Sequence, residues 1–158
     1  MATSLTEGAP APDFSAETDK GDTVALKDFA GKHVVLYFYP KDDTPGCTVE
    51  ACAFRDNIGI LEQEGAVVLG ISLDSVESHQ QFRDKFELPF TLLADPEHKV
   101  ADAYGVYGPK TFKEHKYMGV DRATFIIGPD GALAKVWPEV NPQGHAEEVL
   151  SWLREHKQ

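Results

Sequence analysis

Apolar residues along this chain follow two different periods. Short continuous blocks rich in Val, Ile and Leu are typical of buried strands, whereas apolar residues that recur every three or four positions are typical of amphipathic helices. The two patterns alternate through the middle of the chain. Strands are predicted at Val34–Tyr39, Ala66–Ser72 and Thr91–Leu93, and helices at about Thr48–Glu64, Ser75–Phe86 and His98–Tyr104.

Two segments lie outside this alternation. Before the first strand, the turn residues Pro10, Pro12 and Gly21 and the alternating segment Thr23–Leu26 predict a short N-terminal β-hairpin. We expect this extension to cover the main fold and not to form a separate domain. Residues 107–121 are predicted to be a loop.

The C-terminal part predicts a second hairpin followed by a helix. Thr124–Ile127 and Leu133–Trp137 are apolar blocks joined by the turn segment Gly128–Gly131. Asn141 is expected to cap the last helix, with Pro142 at its first position. Alternating strands and helices followed by a hairpin predict an α/β fold, with a mixed central sheet flanked by helices.

The composition fits a single domain spanning residues 1–158. A chain of this length with 42% hydrophobic residues can bury a full core. The first five residues lack the basic start and apolar run of a secretory signal, and no stretch is long enough to span a membrane. A cytoplasmic location is therefore expected.

Charge and histidine placement argue against several classes of partner. Fifteen basic residues against 26 acidic ones give a formal charge of −11, which repels nucleic acids and anionic membranes. The six histidines are scattered, and the chain has neither a CxxC pair nor an HExxH helix. We therefore expect no metal site.

Both cysteines of the chain, Cys47 and Cys52, lie just after the first predicted strand, where a helix begins. In a reducing cytosol, such a close pair favours a catalytic or redox-sensing role over a structural one. The unpaired N–H groups and the positive dipole at a helix start favour a thiolate over a thiol. Cys47 is thus the candidate nucleophile, and the alternative is a pair of buried thiols.

Residues around Cys47 fit attack on a peroxide bond, in which negative charge builds on the departing oxygen. Thr44 can offer a hydroxyl to the substrate, or it can be an ordinary helix N-cap. Pro45 and Gly46 let the backbone turn so that amides point into the pocket. Pro40 is expected to shield the sulfur from water.

Two carboxylates oppose a thiolate in this turn. Asp42 and Asp43 disfavour a second negative charge nearby, so a cation must compensate. Arg122, just before the strand Thr124–Ile127, is the best candidate, because a guanidinium is costly to bury alone. The alternative for this arginine is an ion pair with Glu50 or Asp121.

The spacing of the two cysteines restricts how they can react together. In an intact helix, residues five apart have Cα atoms about 8.6 Å apart, whereas a disulfide needs less than about 7 Å. A bond between Cys47 and Cys52 therefore requires the first turns of the helix to unwind. Taken alone, Cys52 can also be a small buried apolar residue.

Pro40, Thr44 and Cys47 form the pattern PxxxTxxC, which is the signature of peroxiredoxins, and TPGCTVEACAFRD resembles the peroxiredoxin Q subfamily, also called bacterioferritin comigratory proteins. The resemblance continues in LPFTLLADPEHKVADAYGV and YMGVDRATFIIGPDGALAKVW and so spans nearly the whole chain. It implies a thioredoxin-like fold and a thiol peroxidase without metal, haem or flavin.

The resemblance also implies a role for each site residue. Cys47 would be the peroxidatic cysteine and Cys52 the resolving cysteine of the same subunit. Thr44 and Arg122 would bind and polarise the peroxide, and Pro40 would shield the sulfur. Hydrogen peroxide and organic hydroperoxides are the expected substrates, with thioredoxin, or else glutaredoxin, as the reductant. With no cysteine near the C-terminus, a monomer is expected.

Two other functions are compatible with the same fold. A protein disulfide oxidoreductase is the first alternative, but such enzymes use a CxxC pair, which this chain lacks. The second is a binding module or holdase with incidental cysteines, which leaves Pro40, Thr44 and Arg122 unexplained.

Overall fold

Nine strands and four α-helices make up the fold of the residues that the structure describes. The computed structural model describes residues 3–156 and, at residue 112, the backbone alone. The strands are β1 Ser15–Thr18, β2 Thr23–Ala25, β3 His33–Phe38, β4 Ala66–Ser72, β5 Thr91–Ala94, β6 Tyr107–Phe112, β7 His115–Val120, β8 Ala123–Ile127 and β9 Leu133–Trp137. The helices are α1 Pro45–Gln63, α2 Val76–Phe86, α3 Lys99–Ala103 and α4 His145–Glu155, and Leu26–Phe29 forms one 3₁₀ turn.

Seven strands form one mixed sheet in the order β2-β1-β5-β4-β3-β8-β9. β3, β4 and β5 are parallel neighbours, and β8 and β9 continue the sheet in antiparallel pairing. Parallel strands need a long crossover, and α1 and α2 supply the two crossovers here. The mixed α/β architecture predicted from the sequence is confirmed.

The central strands are apolar throughout because both faces of the sheet are covered. Val35 and Tyr37 of β3 point into a core shared with Phe54 of α1, whereas Val34 and Leu36 point into a second core on the opposite face. Side chains of a strand alternate between the two faces, so a strand buried on both sides is a continuous apolar block. That pattern made β3 and β4 predictable.

The N-terminal hairpin is present, but it does not lie over the fold as a cover. β1 pairs with β2 and also with β5, where Glu17 lies opposite Ala94. The extension therefore adds two strands to the edge of the main sheet. Among residues 3–156, no helix is long and apolar enough to cross a membrane.

The predictions for residues 107–121 and for the start of the last helix were wrong. Residues 107–121 are not a loop, because β6 and β7 pair as a two-stranded hairpin. Its turn uses positive φ at Lys113 and Glu114 (48° and 69°), where Gly or Asn would normally signal a turn. The Oδ1 of Asn141 accepts a hydrogen bond from the N–H of Gln143 within a local turn. Asn141 therefore does not cap the last helix, which begins at His145 instead of Pro142.

The first helix begins earlier than predicted, at Pro45 instead of Thr48. Proline suits the first helical position because its missing N–H would have no helical partner there. Thr44 before it is extended (φ −94°, ψ 156°) and ends the preceding loop. The earlier start leaves Cys47 in the first turn of the helix, as expected.

Candidate active site

Cys47 lies in the first turn of α1, the helix that follows the central strand β3. Its side chain is buried, with 1% of its surface exposed. The first turn of α1 directs N–H groups without helical partners, and the positive end of the helix dipole, toward this region. The sequence places the thiol here through the order of strand, turn and N-terminal proline.

Arg122 reaches the same point from a distant part of the chain. Phe38 at the end of β3 pairs with Ala123 at the start of β8, so the residue just before β8 lies beside the cysteine turn. The Arg122 Nη2 donates to Cys47 Sγ at 3.4 Å, and its Nη1 donates to Glu50 Oε1 at 2.8 Å. Arg122 therefore contacts Cys47 and also forms the ion pair with Glu50, whereas Asp121 pairs with Lys110.

The guanidinium contacts two acidic side chains, Cys47 and Glu50, that are both buried. Glu50 has a fully buried side chain, and burial raises its pKa to about 7 against the opposing effect of Arg122. Burial lowers the pKa of Arg122, but the neighbouring Cys47 and Glu50 outweigh that effect and raise it overall. The arginine therefore stays charged, as stabilisation of a thiolate at Cys47 requires.

Thr44 occupies the N-cap position of α1 without capping it through its side chain. Its Oγ1 donates to the Lys41 carbonyl at 2.9 Å. Because that hydroxyl proton is already used, the oxygen of Thr44 can only accept a further hydrogen bond. The sequence had suggested a donor at this position.

Pro40 forms part of the wall of an open cleft of about 580 Å³. Arg122 lies on the same cleft, together with Tyr117 and Met118 of β7. Pro40 is itself exposed. The cleft brings solvent to the guanidinium while the sulfur remains buried.

Cys52 does not lie beside Cys47. Both thiols are free, Cys52 is partly exposed, and α1 runs without a break from Pro45 to Gln63. Helix geometry then puts the two Cα atoms about 8.6 Å apart. The structure brings together Cys47 and Arg122, with Thr44 at the helix start and Pro40 on the adjoining cleft, and it leaves Cys52 on the next turns.

The two aspartates of the cysteine turn have partners that the sequence did not reveal. Asp42 lies 2.7 Å from His79 Nδ1, and Asp43 pairs with Lys85 at 2.8 Å. The partners are far away in the sequence, on α2, so no local pattern identifies them. His79 was expected to pack in the core, and it is fully buried.

Another buried histidine lies behind the arginine. His145 at the start of α4 is within hydrogen-bonding distance of Thr124 on β8 and of Glu148. Burial lowers its pKa, Glu148 acts in the opposite direction, and the charge of Arg122 lowers it further. Among the residues described, no group of three or more His, Cys, Asp or Glu side chains could hold a metal ion.

Comparisons with known proteins agree over nearly the whole chain. Residues 8–136 match the AhpC/TSA family. The bcp protein of Coxiella burnetii is 51% identical over 150 residues, covering 95% of this chain and 99% of that protein. Peroxiredoxin Bcp of Bacillus subtilis is 47% identical over 148 residues, covering 94% of each chain.

Solved structures show the same relationship. Peroxiredoxin Q of Xanthomonas campestris superimposes with a TM-score of 0.88 at 34% identity, covering 99% of each chain. Peroxidoxin BcpB of Mycobacterium tuberculosis has a TM-score of 0.86 at 32% identity, covering 98% of this chain and 99% of the other. These matches confirm the thioredoxin-like fold of a peroxiredoxin. The chain belongs to the AhpC/TSA family and, within it, to the Bcp or peroxiredoxin Q group of thiol peroxidases.

Proposed function

We propose that Cys47 is the peroxidatic cysteine of a monomeric, single-domain peroxidase and that Cys52 resolves its sulfenic acid. The contact of Arg122 with both Cys47 Sγ and the buried Glu50 is the observation that carries this proposal. A fixed cation at 3.4 Å and a helix N-terminus together favour the thiolate. The thiolate is the form of cysteine that attacks a peroxide.

The first step is a two-electron displacement. The Cys47 sulfur attacks the terminal oxygen of the hydroperoxide, the S–O bond forms and the O–O bond breaks. Both electrons of the O–O bond leave with the departing oxygen, which takes up a proton to become water or an alcohol. Arg122 stabilises the charge that develops, and the Thr44 oxygen accepts the O–H of the bound hydroperoxide because its own proton goes to Lys41.

The second step requires α1 to open. Cys47 is buried within an unbroken helix, and a disulfide needs the two Cα atoms closer than about 7 Å. Unwinding the first turns of α1 brings Cys52 to the sulfenic acid, and condensation of the two releases water. The disulfide is then part of a locally unfolded and exposed segment.

An exposed disulfide is suited to reduction by a dithiol protein. We assign this role to thioredoxin, with glutaredoxin as the alternative, in the cytoplasm. The reductant supplies two electrons by thiol exchange and leaves both cysteines as thiols. α1 can then refold over Cys47.

The cleft beside Arg122 gives space for the organic part of a hydroperoxide. Its volume of about 580 Å³ and its exposed Tyr117 and Met118 provide an apolar wall next to the guanidinium. A solved structure of the Xanthomonas campestris bacterioferritin comigratory protein is described in terms of alkyl peroxide reduction. We therefore assign alkyl hydroperoxides as substrates in addition to hydrogen peroxide.

Steady-state turnover tests the proposal as a whole. Purified protein is mixed with thioredoxin, thioredoxin reductase, NADPH and hydrogen peroxide, and NADPH loss is followed. We expect oxidation that depends on peroxide, is absent in Cys47→Ser and is lost after one turnover in Cys52→Ser. Equal steady activity in Cys47→Ser would refute the assignment. Activity with glutaredoxin alone would correct only the reductant.

A further inference from the structure

A carboxylic acid is buried on α1 between the two cysteines. Glu50 lies three residues after Cys47 and two before Cys52, and its side chain has 0% of its surface exposed. Within Pro45–Gln63, the other buried residues are Cys47, Ala51, Phe54 and Leu61. A buried carboxyl group is costly in its charged form, and this one lies in the part of the helix that has to open for a disulfide to form.

Among the described residues, the carboxyl group of Glu50 has a single hydrogen-bonding partner. Arg122 Nη1 donates to Oε1 at 2.8 Å, and no described group donates to the buried Oε2. An ionised carboxylate can accept about four hydrogen bonds, so the closed site replaces few of those that water would make. Burial therefore raises the pKa of Glu50 to about 7, although the charge and the hydrogen bond of Arg122 act in the opposite direction.

Other titratable groups face this region from the elements packed around it. On β3, burial and then the charge of Glu50 raise the pKa of Tyr37 well above its ordinary value, so the phenol stays neutral. On α4, burial is the main cause that lowers the pKa of His145. On α1 itself, the Cys47 sulfur contacts the same guanidinium as Glu50. The acidic side chains of the turn before α1 contact α2 instead: Asp42 lies beside His79, and Asp43 beside Lys85.

Opening of the helix start, residues 45–52 of α1, changes the surroundings of Glu50. In the closed structure this segment is helical, and the N–H of Thr48 donates to the Thr44 carbonyl at 2.9 Å. A disulfide requires the Cα atoms of residues 47 and 52 to approach from about 8.6 Å to less than about 7 Å. Residue 50 lies inside the segment that leaves helical geometry, so its carboxyl group moves with that segment away from Arg122 and into water.

We propose that Glu50 couples opening of the helix start to the loss of a proton, so that acid holds the helix closed over Cys47 and rising pH releases it. The pKa of a glutamate in water is about 4.5, against about 7 in the closed helix. The closed state therefore keeps a proton that the open state loses. Its advantage is complete below pH 4.5 and is lost as the pH rises through 7.

In catalysis, where the inference rests on the proposed roles of Cys47 and Cys52, the coupling controls how long the sulfenic acid persists. At acidic pH the closed helix keeps the two sulfur atoms apart after the first step. At higher pH the open helix lets the S–S bond form, and the sulfenic oxygen leaves as water with the proton of the Cys52 thiol. Glu50 releases its proton to solvent on opening and takes one up when the reduced helix closes.

Hydrogen exchange tests the coupling without any peroxide chemistry. A protein carrying Cys47→Ser and Cys52→Ser has no titrating thiol, and protection of the amides of residues 48–52 is measured by NMR from pH 5 to 8, corrected for intrinsic exchange rates. We expect protection to fall about 70-fold over this range, the ratio that pKa values of about 4.5 and 7 give. Adding Glu50→Gln should abolish the fall. Adding Glu62→Gln, at an exposed position of the same helix, should leave it unchanged.

Three results of this experiment would overturn the coupling. Protection that does not change with pH, or that falls equally with Glu50→Gln, would mean that Glu50 stays buried when the helix start opens. Protection that rises with pH would identify His145 as the titrating group, because a histidine with a lowered pKa gains a proton on exposure. Protection as high as that of Val68 on β4, which is 2% exposed, would mean that the segment opens only when the whole protein unfolds.

The rate of disulfide formation tests the consequence for catalysis. Reduced protein is mixed with one equivalent of hydrogen peroxide, and the rate of the disulfide step is measured with and without Glu50→Gln. Cys52 becomes more reactive with pH in both proteins, so the ratio of the two rates is compared. We expect a ratio near one at pH 5 that rises more than tenfold by pH 8. A constant ratio would refute the effect on resolution, whereas absence of any reaction with peroxide would refute the proposed function and leave the exchange result standing.

Discussion

Replacing Arg122 by methionine should destabilise the protein in a pH-dependent way. Glu50 loses the partner of its fully buried carboxylate, while methionine keeps most of the apolar stem. The effect is measured in a Cys47→Ser background, so that titration of the thiol does not contribute. Urea unfolding followed by fluorescence of the two tryptophans gives the free energy of unfolding at each pH.

The magnitude follows from the titration of Glu50. Its pKa rises from the ordinary 4.5 to about 7 on folding, so the folded state favours the protonated acid, and stability is lost as pH rises from 4.5 through 7. That loss is about 3 kcal/mol above pH 7. Without Arg122, the pKa of Glu50 rises further, because Arg122 lowers it through charge and a hydrogen bond.

Above pH 7, the Arg122→Met variant therefore continues to lose stability as the pH rises, whereas the parent protein does not. Near pH 5, Glu50 is protonated in both, and the difference should be about 1 kcal/mol, as for one lost hydrogen bond. Above pH 7, the difference should grow by up to about 1.4 kcal/mol per pH unit and reach about 3 to 4 kcal/mol at pH 9, the range for a broken buried ion pair. Adding Glu50→Gln should remove the pH dependence.

A matched control separates this effect from the loss of any arginine. Arg154 is 54% exposed and lies 3.8 Å from Glu64, so Arg154→Met should cost less than about 1 kcal/mol at every pH. A difference for Arg122→Met that does not change between pH 5 and 9 would refute the role assigned to the buried Glu50.

Three further predictions concern resolution, packing and substrate. Cys52→Ser should reduce one equivalent of peroxide in stopped-flow and then stop, and continued turnover would contradict its role. Phe54→Ala, at a fully buried ring, should lower the urea unfolding free energy by about 3 to 5 kcal/mol, against less than about 1 kcal/mol for Ile60→Ala, which is 38% exposed. Met118→Ala should raise KM for cumene hydroperoxide severalfold and leave hydrogen peroxide kinetics unchanged; equal effects on both would place the organic group elsewhere.

The sequence predicts the elements whose residues share one environment. β3 and β4 are buried on both faces, so their continuous apolar blocks predicted them. A helix after the cysteine turn was also predicted, although it begins at Pro45, three residues before the predicted start. The hairpin β6–β7 was missed because its strands are largely exposed and its turn places Lys113 and Glu114 at positive φ. Local propensity gives no signal for such a hairpin.

Contacts between distant parts of the chain were less accessible. The role of Arg122 could be suspected because a guanidinium beside a buried strand needs a partner, yet its contacts with both Glu50 and Cys47 depend on the register of β8 against β3. The pairing of Asp42 with His79 joins positions 37 residues apart. Neither residue type nor spacing identifies such a pair before the fold is known.

Trapping the first intermediate tests the central assignment most directly. The Cys52→Ser variant is treated with one equivalent of hydrogen peroxide in the presence of dimedone, which reacts with sulfenic acids, and the peptides are analysed by mass spectrometry. The account predicts one adduct, on Cys47. With Arg122→Met added, the reaction should be too slow for an adduct to form during the experiment. Peroxide consumption with no adduct on Cys47, or with an adduct on another residue, would contradict it.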